Sequence, residues 1–312
     1  MNPRLKLDRG ATVSFADLPP CSIALDGYVQ GPAIDTATRR FSFDHHDGCI
    51  RHATLATCEM TLDALRVGLD PSDLTVFVND LDPDTIASAW LLLYPAAASV
   101  PGVAVAIHAL GRLDALGPSV GVEVPSALRW ALGPYFASAD AGQLRQPEGW
   151  VAVWELVLAE CFARLNNWLA AGAPSTSPAM PASEPRLAEY EVLFDGGTWQ
   201  LLQSPAGLGA FAAAYSRGVR AAVVARELGD GTTEYTVGKA SEFVSGFDVP
   251  AILAALAAAE REVNPAQDPA RNWGGGTTIG GSPRNADGSG SRLRWSSVVE
   301  VVRMVCGRSD GR

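Results

Sequence analysis

The strongest constraint on this chain is that several short apolar runs each break off at an acidic or imidazole side chain. Asp26 follows Ser-Ile-Ala-Leu, Asp44 follows Phe-Ser-Phe, Asp80 to Asp84 follow Leu-Thr-Val-Phe-Val, and His108 follows Val-Ala-Val-Ala-Ile. Runs of this length read as buried strands, with helical patterns between them: strands over 21–25, 40–43, 74–78 and 103–107, helices over 51–67 and 84–93. Alternating strand and helix predicts an α/β fold, a mostly parallel sheet with helices on both faces. In such a sheet functional groups gather at the carboxyl ends of the strands, where each of these acids is expected to lie.

Asp80, Asp82 and Asp84 stand close together in Asn79-Asp-Leu-Asp-Pro-Asp-Thr-Ile-Ala-Ser88. Neighbouring carboxylates repel and raise one another's pKa, a cost that a divalent cation removes. Carboxylate together with imidazole suits manganese, zinc or iron. All four histidines (His45, His46, His52 and His108) fall within the first 108 residues, two of them in Phe43-Asp44-His45-His46. A dinuclear metal site is the chemistry to which these residues point. An acidic helix N-terminus is the plainer reading of the aspartate run.

At 312 residues the chain has room for two cores. Residues 173–185, rich in proline, serine and alanine, read as a linker, preceded by a long helix from Trp150 to Ala171 with apolar residues at helical spacing. The expected division is 1–172, 173–185 and 186–312. The last part begins with strands over 191–194 and 198–203 around Gly196-Gly197. A helix over 207–215, two strands flanking Gly229-Asp230-Gly231 and a helix over 249–262 follow, making a smaller α+β domain.

The net charge of −10 argues against a basic surface for duplex nucleic acid. Five scattered cysteines fit a reduced compartment better than a disulfide framework. The first residues carry charges where a signal peptide needs an apolar run, and no apolar stretch reaches a membrane span's length, so a cytoplasmic location is expected. Cys49, His52 and Cys58 lack paired zinc-ligand spacing and a fourth ligand, and core packing is the simpler reading.

Phe43-Asp44-His45-His46 resembles the signature of the DHH phosphoesterase superfamily. Asn79-Asp-Leu-Asp-Pro-Asp-Thr-Ile-Ala-Ser88 is similar to its other hallmark, His-x-Asp-x-Asp-x-x-x-Ser. The second half resembles the companion substrate-binding domain: Thr236-Val-Gly-Lys-Ala-Ser241 stands where the family has Ser-x-Arg, and Trp273-Gly274-Gly275-Gly276-Thr277 where it has Gly-Gly-Gly-His. The resemblance implies hydrolysis of a phosphodiester or phosphoanhydride bond with two manganese or magnesium ions and an attacking water activated between them.

Carried over by position, Asp82 and Asp84 would each hold one ion, Asp26 would bridge and His45 would bind the second. His46 would meet substrate phosphate and Asp44 would support the pair. Arg51, Ser88, Lys239, Gly274, Gly275, Gly276 and Arg284 would face substrate, with Thr54 and Thr57 beside Arg51. The motif order departs from the family, since Asp-His-His here precedes Asp-x-Asp, as a circular permutation would produce. Asn79 replaces the leading histidine, which leaves Asp80 as a substitute ligand, and Thr277 replaces the last. Asp114 is the first candidate for the family's remaining aspartate and Asp140 the second.

The expected substrate is a small nucleotide or short single-stranded oligonucleotide, with no duplex and no membrane partner; a homodimer is compatible. Two other functions fit: a catalytically silent nucleotide-binding or sensor protein, suggested by Asn79 and Thr277, and a metal-dependent hydrolase acting on a non-phosphate bond.

Overall fold

A computed structural model describes residues 3–46, 48–117, 121–145, 148–176, 188–267, 272–283, 285 and 289–309. The chain divides into two compact units, Met1–Ala115 with Val122–Glu184, and Leu116–Gly121 with Pro185–Arg312. Most of the expected linker, and Arg284, lie outside the described residues.

The first unit is built on β1 (Arg4–Leu7), β2 (Ser22–Leu25), β3 (Ala33–Asp35), β4 (Arg40–Phe43) and β5 (Thr75–Val78), in the order β1-β5-β2-β4-β3. All pairs are parallel except the β3–β4 hairpin. Leu7 pairs with Val78, Val78 with Leu25, and Leu25 with Phe43, so four parallel strands end flush. The next residues, Asp8, Asn79, Asp26 and Asp44, therefore start their loops from one edge. Chain order and spatial order differ: the aspartate run after β5 comes late in sequence, yet β5 lies directly beside β2.

Ile23, Leu25, Val76 and Val78 are fully buried on the face that packs against α1 (Thr57–Arg66) and α2 (Pro83–Leu93). Burying each such side chain contributes about 1.5–3 kcal/mol. The opposite face buries Ala24 and Phe77 under Leu18, Tyr28 and Val29, supplied by the segments flanking β2. Beyond α2 come α3 (Pro101–Leu116), α4 (Ser126–Ala131), α5 (Gly133–Asp140) and the long α6 (Trp150–Ala170). Trp90 of α2 is fully buried and donates through Nε1 to Asn166 Oδ1 of α6 at 2.9 Å.

Three expectations need correction. Residues 103–107 lie inside α3, not in a strand. Val103, Ala104, Ile107, Leu110 and Gly111 are buried at helical spacing while Val105 is exposed, and the alternating alanines favour the helix. His108 accordingly follows no strand. The helix expected over 51–67 begins only at Thr57, where its first amides find an acceptor in Asp84. The fourth parallel strand is β1, which is too short and too charged (Arg-Leu-Lys-Leu) to stand out.

The second unit contains β6 (Glu191–Asp195), β7 (Gln200–Gln203), α7 (Leu208–Ser216), β8 (Ala221–Glu227), β9 (Thr233–Lys239), α8 (Val249–Val263), β10 (Gly274–Gly275), β11 (Ile279–Gly281) and α9 (Trp295–Ser309). Its sheet runs β10-β11-β9-β8-β7-β6 and is antiparallel except at β7–β8. Gly196 and Gly197 make the expected β6–β7 turn, with the Gly197 amide donating to Asp195 Oδ1. Apolar side chains of α8 and α9 join one core cluster with this sheet, and those of α7 another. No described helix is long and apolar enough to cross a membrane.

Candidate metal centre

Asp26 leaves β2 with φ +51° and is followed by Gly27 at +89°, a tight turn closed by the Tyr28 amide on Leu25 O. Aspartate tolerates this left-handed conformation better than most side-chain-bearing residues, and such strain gathers at functional sites. The turn leaves the Asp26 carboxylate buried, and two threonines fix it: Thr57 Oγ1 lies 3.1 Å from Oδ1 and Thr85 Oγ1 3.0 Å from Oδ2.

The loop after β4 supplies three neighbouring groups. Asp44 is buried, with Oδ2 accepting from the Gly31 amide at 2.7 Å and Oδ1 from the His46 amide at 3.1 Å. His46 Nδ1 lies 2.9 Å from the same Oδ1 and 3.4 Å from Asp26 Oδ1, and its ring stays partly exposed. His45 points inward and is fully buried. Its Nε2 lies 3.0 Å from Asp114 Oδ2, 3.6 Å from Asp26 Oδ1 and 3.7 Å from Asp84 Oδ2. Two of these contacts are longer than a hydrogen bond, and neither ring nitrogen has a hydrogen-bond partner.

Asp84 is the second residue of α2 and fully buried. Its oxygens accept the first amides of α1, Thr57 N at 2.9 Å and Cys58 N at 2.8 Å, so it caps that helix from across the site. Asp82 caps α2, accepting from the Thr85 amide at 2.7 Å. Asp114 arrives from the last turn of α3, where Arg51 donates to its backbone carbonyl at 3.2 Å.

Two overlapping triads, Asp26–His45–His46 and His45–Asp84–Asp114, could each hold a metal ion. The donor set fits a transition metal or manganese: with ligand bonds of about 2.0–2.2 Å, adjacent donor atoms should sit about 2.9–3.6 Å apart. The separations from Nε2 fall in or at the margin of that range. A buried imidazole with no hydrogen bond and three carboxylates around it is a donor set that either a proton or a metal cation can neutralise.

Electrostatics divide the acids. Burial pushes Asp26 upward, but its contact with His45 and the charges of His46 and His45 outweigh that, and its pKa falls below the usual carboxylate value. Asp84 is pushed up to about 7 by burial and by the charges of Asp114 and Asp26. Asp82 is likewise raised well above the usual carboxylate value, by burial and the charges of Asp26, Asp114 and Asp84. Burial disfavours the His45 imidazolium, yet Asp114, Asp26 and Asp84 raise its pKa to about 10. Without metal the cluster therefore holds protons where cations could sit.

Other expected site residues stand elsewhere. Asp80 is exposed, with Oδ1 accepting from the Leu81 amide, and belongs to neither triad. Ser88 is fully buried and donates to the Asp84 backbone carbonyl, not to a carboxylate. Asn79 donates to Ala11 O, and Asp140 is exposed at the end of α5. In the second unit, Gly274, Gly275, Gly276 and Thr277 form an exposed hairpin through β10 and β11, and Lys239 Nζ lies 3.4 Å from Val244 O. Cys58 is core, His52 is exposed, and they form no metal-ligating cluster with Cys49 among the described residues.

Thr57 and Thr85 were legible only as helix-start residues; Thr57, expected to reach toward substrate, is fully buried against Asp26. Glu59, buried and 3.0 Å from His108 Nδ1, gave no signal in sequence beyond a helical acid. No protein-family model and no curated protein matches this chain.

Proposed function

We propose that this protein is a metal-dependent phosphoesterase of the DHH type, acting on a phosphodiester or phosphoanhydride bond of a small nucleotide or short single-stranded oligonucleotide. The observation that carries the reading is His45: fully buried, without a hydrogen bond at either nitrogen, and facing the carboxylates of Asp26, Asp84 and Asp114. The sheet order supports it too, because β5, β2 and β4 are adjacent and bring the two motifs together despite their reversed order in the chain.

His45, Asp26, Asp84, Asp114 and His46 would hold the metal, with Asp82 beside them. Bound manganese or magnesium would polarise a phosphoryl oxygen and make water a stronger nucleophile at neutral pH. The chain's own groups do the positioning. Asp44 orients the His46 ring, which is exposed enough to meet a phosphate. Thr57 and Thr85 hold both oxygens of Asp26, and the first turn of α1 holds Asp84. A net charge of −10 favours small substrates over a long polyanion.

A catalytically silent nucleotide-binding or sensor protein is the second reading, favoured by Asn79, whose amide is tied to Ala11, and by the exposed Thr277. Manganese-dependent hydrolysis across pyrophosphate, linear and cyclic dinucleotides, short oligonucleotides and nucleotide bisphosphates separates the two. Cleavage lost in His45→Ala and Asp82→Asn supports the phosphoesterase. Silence with metal bound, and nucleotide affinity by calorimetry, would establish the binding protein instead.

A further inference from the structure

The two triads share a single imidazole, and that sharing makes them unequal. His45 Nε2 is the nitrogen that faces Asp26, Asp84 and Asp114. One ring nitrogen has one lone pair and ligates one ion. A cation placed among Nε2, Asp84 and Asp114 takes no hydrogen bond from His45, which has none, and the α1 amides on Asp84 leave each of its oxygens a further lone pair.

The outer position is different. His46 Nδ1, the nitrogen close to Asp26, lies 2.9 Å from Asp44 Oδ1, and Asp44 is itself fixed by the Gly31 and His46 amides. A carboxylate held that way favours the tautomer with the proton on Nδ1, so an ion at Nδ1 must break that contact and Nε2 is the nitrogen left to meet an outer ion or a phosphate. If the inner ion has taken His45, the outer triad keeps Asp26 and a committed His46. Neither Asp82 nor Asp80 belongs to either triad. Two divalent ions about 3.5–4 Å apart also repel, and further anionic oxygen must offset that.

We infer that the site loads in order: one divalent ion binds first at His45 with Asp84, Asp114 and Asp26, and a second binds weakly until a phosphate group completes its ligand set. This rests on the metal reading above and adds that the phosphate compound brings the outer ion with it. His46 is the most exposed of the triad side chains, at 39 % against 26 % for Asp114, while His45 and Asp84 are fully buried.

The test is a titration of chelator-treated full-length protein with manganese, alone and with inorganic phosphate, read by equilibrium dialysis and electron paramagnetic resonance. One ion per chain with an isolated-ion spectrum is expected without phosphate. With phosphate, a second ion should bind about tenfold or more tightly, a coupling ordinary for linked sites, and the spectrum should become spin-coupled. His46→Ala should keep the first ion and lose the phosphate-dependent second. Asp114→Asn, a milder change than removing His45, should weaken the first. Two ions bound alike without phosphate, or one ion even with it, would overturn the order of loading and leave the metal site standing. No manganese bound under any condition would overturn the metal site itself.

Discussion

At the scale of single residues, Asp26 is fixed by groups that lie outside both candidate triads. Thr85 Oγ1 holds Asp26 Oδ2 from α2 while Thr57 holds Oδ1 from α1. Thr85→Val keeps the shape and removes the donor, leaving a buried carboxylate oxygen short of a partner. A loss of about 1–3 kcal/mol in denaturant unfolding is expected, with manganese affinity falling about 10- to 100-fold by calorimetry. Unchanged affinity would mean that Asp26 needs no such fixing.

The titrating groups give a second residue-scale outcome. His45 has a folded pKa raised to about 10, against an unfolded value near 6.5. Its protonated form therefore stabilises the metal-free fold fully below about 6.5, and that contribution is lost as pH rises toward about 10. Asp84, raised to about 7, works in the same direction in a lower window, starting near 3.9. Melting temperature in chelator should fall as pH rises from about 6.5 to 9, while the manganese-loaded protein should be flatter or rise, because metal binding releases those protons. Parallel curves would show that manganese does not replace the protons of this cluster.

At the scale of elements, α3 sets the position of Asp114, and Gly111 sets how closely α3 approaches α1. A Cβ at Gly111 would lie 2.4 Å from Glu59 Cγ and 2.7 Å from its Cδ, and that carboxylate is buried with little room to give. Gly111→Ala should cost about 1–3 kcal/mol by overpacking. It should also weaken the first manganese ion by shifting Asp114, whereas an alanine at exposed Val105 should do neither. The same helix marks where sequence reading stopped. Strand ends were legible because a short apolar run that stops at an aspartate is how a buried strand leaves its sheet, as at Leu25–Asp26 and Phe43–Asp44. Val103-Ala-Val-Ala-Ile alternates in strand fashion, and only the tertiary burial of Val103 and Ile107 with Leu110 settles it as helix. Asp114 was therefore a candidate by position alone, and the threonine clamp was invisible because its partners lie 31 and 59 residues away.

At the scale of the molecule, two units with separate cores carry unequal shares of the chemistry. Every residue of the two candidate metal triads belongs to the first unit, in the loops after β2 and β4 and on α2 and α3. A ligand that binds only the native state stabilises what it binds, by about 2.7 kcal/mol at a hundredfold excess over its dissociation constant. Manganese should therefore slow amide hydrogen exchange at the first turn of α1, the Asp26 turn and the last turn of α3. Exchange in β8, β9 and α8, whose side chains form the second unit's own core, should change little. Adding inorganic phosphate to the manganese-loaded protein then discriminates between two roles for the second unit. Fresh protection confined to the loop after β4 would place phosphate recognition with His46 alone. Protection that extends to the β10–β11 hairpin and to Lys239 would bring the glycine-rich segment into substrate binding, as the proposed phosphoesterase reading requires.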